Sequence, residues 1–362
     1  MKRCQRAGKK LFRENITHGA NKKIMDLNII WFVLVGVLFT GYAVLDGFDL
    51  GVGAVHLFAK KDEDRRLFLN SIGPVWDGNE VWLVTAGGAL FAAFPEAYAT
   101  VFSGFYLAFM LLLCCLIFRA VAIEFRSKEE WKWWRQMWDI AFSVSSIVAA
   151  LLIGVAMGNI VLGVPLTQDH EYAGTFFDLL NPYSIFLGIT TVFLFAMHGS
   201  IYLSMKNEGA TQMMVRGWIK PLIGIFLACF IIMNLLTLIY LPHIAEVVRQ
   251  RPIIMVLAFI TVLLALNVPR EFNAGREFLA FLSSCATMVG LMGIFGISHY
   301  PHVVFSIPNP ENTLNIYNAA STSKTLGIML VIAAIGVPLV LAYTISIYWI
   351  FRGKTKLEKH SY

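Results

Sequence analysis

Two short stretches set paired carboxylates three residues apart inside apolar sequence: Asp46-Gly-Phe-Asp49 and Asp77-Gly-Asn-Glu80. At that spacing both members of a pair share one face of a helix. A carboxylate among lipid-facing residues is costly, so each pair must face protein or water. A desolvated carboxyl can also hold a proton near neutral pH, which makes proton or cation movement the chemistry on offer. Each pair has a structural alternative. Asp46 and Asp49 could form a polar clamp beside Gly47 and Gly51, a G-x-x-x-G step that lets another helix approach. Asp77 and Glu80 could be an N-terminal cluster favoured by the positive end of a helix dipole, with Pro74 suited to the first turn. Trp76, Asn79 and Trp82 surround that second pair, and Gly87 and Gly88 suggest a close helix contact further along.

Other reactive residue types form weaker patterns. His56, His170, His198, His243, His299 and His302 are scattered over different segments, and Pro301 separates the last two. They read as structural or interfacial groups, and no metal-ligand set is expected. The five cysteines have no metal-ligand spacing, and four of them, Cys114, Cys115, Cys229 and Cys285, lie in apolar runs as small buried hydrophobes. Arg119 and Glu124 lie close enough in sequence to form an ion pair. Trp131, Trp133, Trp134 and Trp138, interleaved with Lys and Arg, read as a membrane-interface anchor.

These residues are carried by a chain of 362 residues that is 57% hydrophobic and 14% charged, with a mean hydropathy of +0.67. Soluble domains carry about 25% charged residues, so a soluble enzyme, a secreted disulfide scaffold and a disordered chain are excluded. Each bilayer-crossing helix takes roughly 20 apolar residues. The apolar runs predict nine, at about 27–58, 72–94, 98–123, 138–162, 183–205, 217–241, 253–268, 277–299 and 325–351. The seventh is short and needs flanking residues between Pro252 and Arg270 to complete it. The Asn-, Ser- and Thr-rich segment from Pro308 to Lys324 is expected to cap the last span.

Charge distribution orients the spans. Connections after odd-numbered spans, with the tail, hold 18 Lys and Arg, whereas even-numbered connections hold only Arg249, Arg251 and Lys324. The positive-inside rule therefore puts the N-terminus outside and the C-terminus inside. Residues 1–24 oppose this, with eight basic residues and one acid, while the chain from Met25 onward has 21 basic against 22 acidic residues. The expectation is a basic extension at 1–24 absent from the mature protein, followed by one integral membrane domain over 25–362. A basic arm at lipid headgroups is the alternative. No basic face remains for nucleic acid.

Taken together, GFDLGVG at 47–53, GPVWDGNEVWL at 73–83, TAGGALFAAFPEAYA at 85–99, FRAVAIEFRSK at 118–128 and NTLNIYNAASTSKTL at 312–326 resemble subunit II of the cytochrome bd-type quinol oxidases. The resemblance implies an all-α, multi-pass protein of the bacterial inner membrane, with two four-helix bundles and one peripheral helix. It implies a similarly folded subunit I as partner, a small accessory transmembrane subunit in some complexes, and quinol and dioxygen as substrates. Haems b and d are implied on subunit I rather than on this chain, and some family members hold a structural quinone here. The complex would reduce dioxygen to water with cytoplasmic protons and so build a proton gradient, while this chain alone would be inactive. Asp77 matches the family carboxylate of proton delivery, with Asp49, Asp46 and Glu80 near it, and Trp82 matches a residue at the mouth of an oxygen route. Arg119, Glu124, Trp76 and Asn79 are expected to be interface or structural residues. From the residues alone, a proton-coupled secondary transporter is the competing class, but inverted repeats and interrupted helices are not evident.

Overall fold

The computed structural model describes residues 26–241 and 251–357 of the chain. The extension at 1–24 and His243 and Arg249 lie outside the described residues. Helices account for most of the described residues: α1 Leu27–Val55, α2 Asp62–Ile72, α3 Trp76–Ala93, α4 Pro95–Gly104, α5 Tyr106–Phe125, α6 Lys132–Leu162, α7 Pro182–Lys206, α8 Gly209–Tyr240, α9 Pro252–Asn273, α10 Glu277–His299 and α11 Ser323–Ile350. Helices close their backbone hydrogen bonds within one segment, which is what lipid demands of a spanning element.

Local chemistry starts several of these helices where the sequence changes character. The Asp26 side chain accepts from Asn28 N at 3.0 Å ahead of α1. Asn181 accepts from Ser184 N ahead of α7, whose first residue is Pro182. Thr322 accepts from Thr325 N at the start of α11, the cap expected for the last span. The amphipathic helix α2 carries Asp62, Glu63 and Asp64 in its first turn.

Among the described residues, eight helices are long and apolar enough to cross a membrane. The expected span at 72–94 is helical as α3, but its first turns carry Asp77 and Glu80, and it is not among those eight. Two boundaries also differ from the sequence reading. Pro74 lies in the turn between α2 and α3 rather than inside a helix, and the expected span at 98–123 breaks at Phe105 into α4 and α5. The seventh span does recruit its flanks: α9 runs from Pro252 through Pro269 to Asn273.

Helix α1 is the hub, packed against α3, α6, α7 and α10, while α6 also packs on α5 and α7. Helices α7 to α10 pack among themselves, and α11 lies outside against α1 and α3 with Leu326 as its one buried residue. The α1–α7 contact is a backbone approach. A methyl group at Gly51 would overlap the Phe195 carbonyl, and one at Gly199 would overlap the backbone around Val52. Gly47 and Gly51 thus do the packing expected of them. Gly87 and Gly88 make no such contact within this chain: a methyl group at either would meet nothing within 4 Å among the described residues.

Polar contacts gather the connections into two ends. At the end rich in Lys and Arg, Asp139 of α6 binds His56 Nε2 at 2.6 Å, Arg65 Nη1 at 2.8 Å and Arg126 Nε at 2.5 Å. Thr355 N donates to the Lys206 carbonyl there, laying the tail against the end of α7. At the opposite end β1 (His302–Val304) pairs antiparallel with β2 (Leu314–Asn315), and Asn312 Nδ2 donates to the Leu166 carbonyl at 2.9 Å.

Candidate functional site

Where α1, α3 and α5 meet, Arg119 of α5 is 1% exposed and forms two ion pairs. Its Nη1 lies 2.7 Å from Asp46 Oδ1 of α1, and its Nη2 lies 2.8 Å from Glu80 Oε2 of α3. Guanidinium geometry suits this, because its planar donors can serve two carboxylates while its charge stays fixed. Arg119 thus has other carboxylate partners than the Glu124 predicted from sequence; Glu124 is half-buried further along α5. Asp46 is itself fully buried, so the pair holds charge away from both water and lipid.

One turn along α1, Asp49 is also fully buried. Its Oδ2 accepts from Asn79 Nδ2 at 2.7 Å, and the same amide nitrogen reaches the Leu45 carbonyl at 3.3 Å. Asn79 Oδ1 accepts from the Tyr348 hydroxyl of α11 at 2.9 Å. Asp49 Oδ1 is buried with no hydrogen-bond partner among the described residues. The structure therefore brings Asp46, Asp49, Asn79, Glu80 and Arg119 into one polar cluster, and adds Tyr348.

Asp77 does not join them. It is exposed, and with Val81, Val84, Gly88 and Phe91 it forms one stripe along α3 at spacings of four, three, four and three residues. That stripe is open along its length. Trp76 is buried on the other side of the helix, and Trp82 is half-buried with its indole against Gly41, where a methyl group would collide with the ring. Glu80 borders the stripe, its side chain 21% exposed.

A family model for cytochrome bd terminal oxidase subunit II matches residues 27–351. The chain belongs to that family. It is 37% identical to cytochrome bd-I ubiquinol oxidase subunit 2 of Escherichia coli (strain K12), over 92% of this chain and 96% of that protein. It is 32% identical to cytochrome bd ubiquinol oxidase subunit 2 of Bacillus subtilis (strain 168), over 91% of this chain and 97% of that one. Its fold is similar to a chain of the bd oxidase from Geobacillus thermodenitrificans, with a TM-score of 0.75 at 18% identity, covering 91% and 98% of the two chains. This subunit II is therefore a multi-pass membrane component of an oxidoreductase complex whose other principal component is subunit I.

The family implies haems in that complex. Among the described residues no group of three or more His, Cys, Asp or Glu is arranged to hold a metal ion. His198 places Nδ1 2.6 Å from Ser284 Oγ and Nε2 3.1 Å from the Val44 carbonyl, and stacks on Phe281. His299 has both ring nitrogens within reach of the carbonyls of Phe295 and Ile160.

Two functional-looking features escaped the sequence reading. Tyr348 lies 269 residues from Asn79, with no local pattern to mark it. The His56–Asp139–Arg126 cluster draws on three separate segments, with Asp139 directly after the stretch read as an interface anchor. Its one available signal was a buried-type Asp beside Trp138 at the start of a long apolar run.

Proposed function

We propose that this subunit conducts protons from the cytoplasm toward the oxygen-reducing centre of a cytochrome bd quinol oxidase, with Asp77 as its principal proton-handling residue. In this reading the open stripe of α3 faces subunit I, and haems b and d, carried there, supply electron transfer and oxygen chemistry when bound. Asp77 stands at the entrance of α3, directly after a connection rich in Lys and Arg. Glu80 lies one turn deeper, and Asp46 and Asp49 lie behind it on α1. Water reaching Asp77 would let protons pass between the exposed stripe and the buried carboxylates, contributing to a proton gradient across the inner membrane. Trp82, beside this route, would line the path of dioxygen. The chain alone would be inactive.

The observation that carries this reading is the placement of Asp77. It is exposed on an unpartnered helix face while three further carboxylates, Glu80, Asp46 and Asp49, stand behind that face. A helix cap alone would not need them. The test is oxygen consumption per mole of haem d in the assembled Asp77→Asn complex. Asn keeps the shape of Asp but cannot release a proton. Strong loss of turnover with full haem content supports the reading, and wild-type turnover overturns it.

A further inference from the structure

We propose that Tyr348, on the outermost helix, is a positioning residue whose hydroxyl anchors the Asn79 amide that donates to Asp49. The inference rests on the proton-conducting reading above.

The argument begins with the hydrogen-bonding capacity of the amide. Asn79 has one acceptor oxygen and one donor nitrogen, and each has a defined partner. The nitrogen faces two acceptors, Asp49 Oδ2 at 2.7 Å and the Leu45 carbonyl at 3.3 Å. The oxygen faces the Tyr348 hydroxyl at 2.9 Å. Turned by half a revolution, the amide would aim its oxygen at a carboxylate and a carbonyl, and its NH2 at the tyrosine. With Asp49 charged that arrangement sets acceptor against acceptor. With Asp49 protonated it becomes tolerable, because the acid can then donate to the amide oxygen. In that state the Leu45 carbonyl, which can only accept, still opposes the flip, and the Tyr348 hydroxyl, which can serve either amide group, anchors the amide in place as it donates to Asp49. Asp49 Oδ1, buried and without a partner, is the oxygen left for that proton.

The helix that carries Tyr348 has little else to do at this depth. Along α11 only Leu326 is buried, at the opposite end, whereas Tyr348 packs against the main core. Past α11, the Lys206 ammonium donates to the carbonyls of Phe351 and Gly353, and Thr355 Oγ1 meets Ser71 Oγ at 3.1 Å. These contacts pin the end of α11 where the hydroxyl must point inward. The charged and titratable groups around the relay are Asp46 and Tyr42 on α1, Glu80 on α3, Arg119 on α5 and Tyr202 on α7.

The experiment uses the complete oxidase complex. Difference infrared spectroscopy on wild type and Asp49→Asn assigns the Asp49 carboxyl band by its disappearance. Tyr348→Phe, which keeps the ring and removes the hydroxyl, should displace that band and lower turnover about fivefold, the scale of one lost hydrogen bond. In an Asp49→Asn background the same change should cost nothing further. A band unmoved by Tyr348→Phe, or losses that simply add, would make the tyrosine a packing residue and overturn the proposal. Should Tyr348→Phe fail to assemble, site-specific 3,5-difluorotyrosine at position 348 keeps the shape and strengthens the donor. The band must then move in the sense of a stronger hydrogen bond, and an unmoved band overturns the idea. The parent reading fails separately, through wild-type turnover in Asp77→Asn, while a displaced band would still support the positioning role. Absence of any Asp49 band in the wild type overturns both.

Discussion

Asp77 and Glu80 occupy successive turns of one helix, yet their surroundings share almost nothing. Glu80 is held by a buried guanidinium that also binds Asp46, so its carboxylate helps tie α3 to α1 and α5. Asp77 stands on a stripe with Val81, Val84 and Gly88 that the subunit leaves uncovered. The same pair of residue types thus serves two ends. Toward the inside a carboxylate is part of what holds the helices together, and toward the outside it is free to meet water or a partner. Substitutions on the inner side should therefore be felt first in folding, and those on the stripe first in pairing or turnover.

The largest effect should come from Arg119→Met. It leaves Asp46 fully buried without its cation, and breaking a buried pair from one side costs about 3–5 kcal/mol. The expected outcome is loss of assembled complex, measured as haem recovered through a tag on this subunit. Normal assembly would mean that the inner cluster is not structural.

Next is Gly88→Leu on the open stripe. A methyl group there would meet nothing within 4 Å among the described residues, so the subunit should still insert and fold. Pairing with subunit I should fall sharply, because small residues on a helix face permit close approach by another helix. Co-purification of the two subunits reads the effect directly. Unchanged pairing would remove the stripe from the interface.

Asp77→Asn should come third in severity. Asp77 makes no structural bond comparable to those of Arg119, so haem content should stay at the wild-type level while oxygen consumption drops strongly. Asp77→Glu should keep part of the activity, which a packing role would not predict.

How much of this contrast was legible beforehand depends on whether the signal is local. Apolar runs and Lys/Arg placement are local, and they located every long helix, although the starts of α5, α6 and α8 at Tyr106, Lys132 and Gly209 lie six to eight residues from the expected ones and Trp76–Ala93 carries enough polar residues to blur the count. The i,i+3 spacing grouped Asp46 with Asp49, which the structure keeps in one cluster, and Asp77 with Glu80, which it divides between the open and the inward side of α3. It could not say which member faces inward, because that depends on where α1 and α5 cross α3. Arg119 was matched with its sequence neighbour Glu124, whereas its partners lie 39 residues away on α3 and farther back on α1. Tyr348 shows the same limit more severely: a tyrosine near the end of an apolar helix has no sequence signature for the relay it completes.

The smallest of these effects, and the one that tests the contrast most finely, belongs to Glu80→Gln. Glutamine keeps an acceptor oxygen for Arg119 Nη2 and nearly the same volume, so the α3–α5 contact persists. Arg119 also retains Asp46, which keeps its charge compensated. Glu80 borders the stripe and its side chain is 21% exposed, so water screens part of the lost attraction and the stability cost should be about 1 kcal/mol or less. Assembly should remain close to wild type. Turnover is the discriminating measurement. If protons pass from the stripe through Glu80 to the α1 carboxylates, Gln interrupts that step, and oxygen consumption should fall several-fold, though less than in Asp77→Asn because water can bypass a partly exposed site. Wild-type turnover with a slightly lowered melting temperature would assign Glu80 wholly to the inner, structural side of α3, and leave Asp77 as the helix's one proton-handling residue.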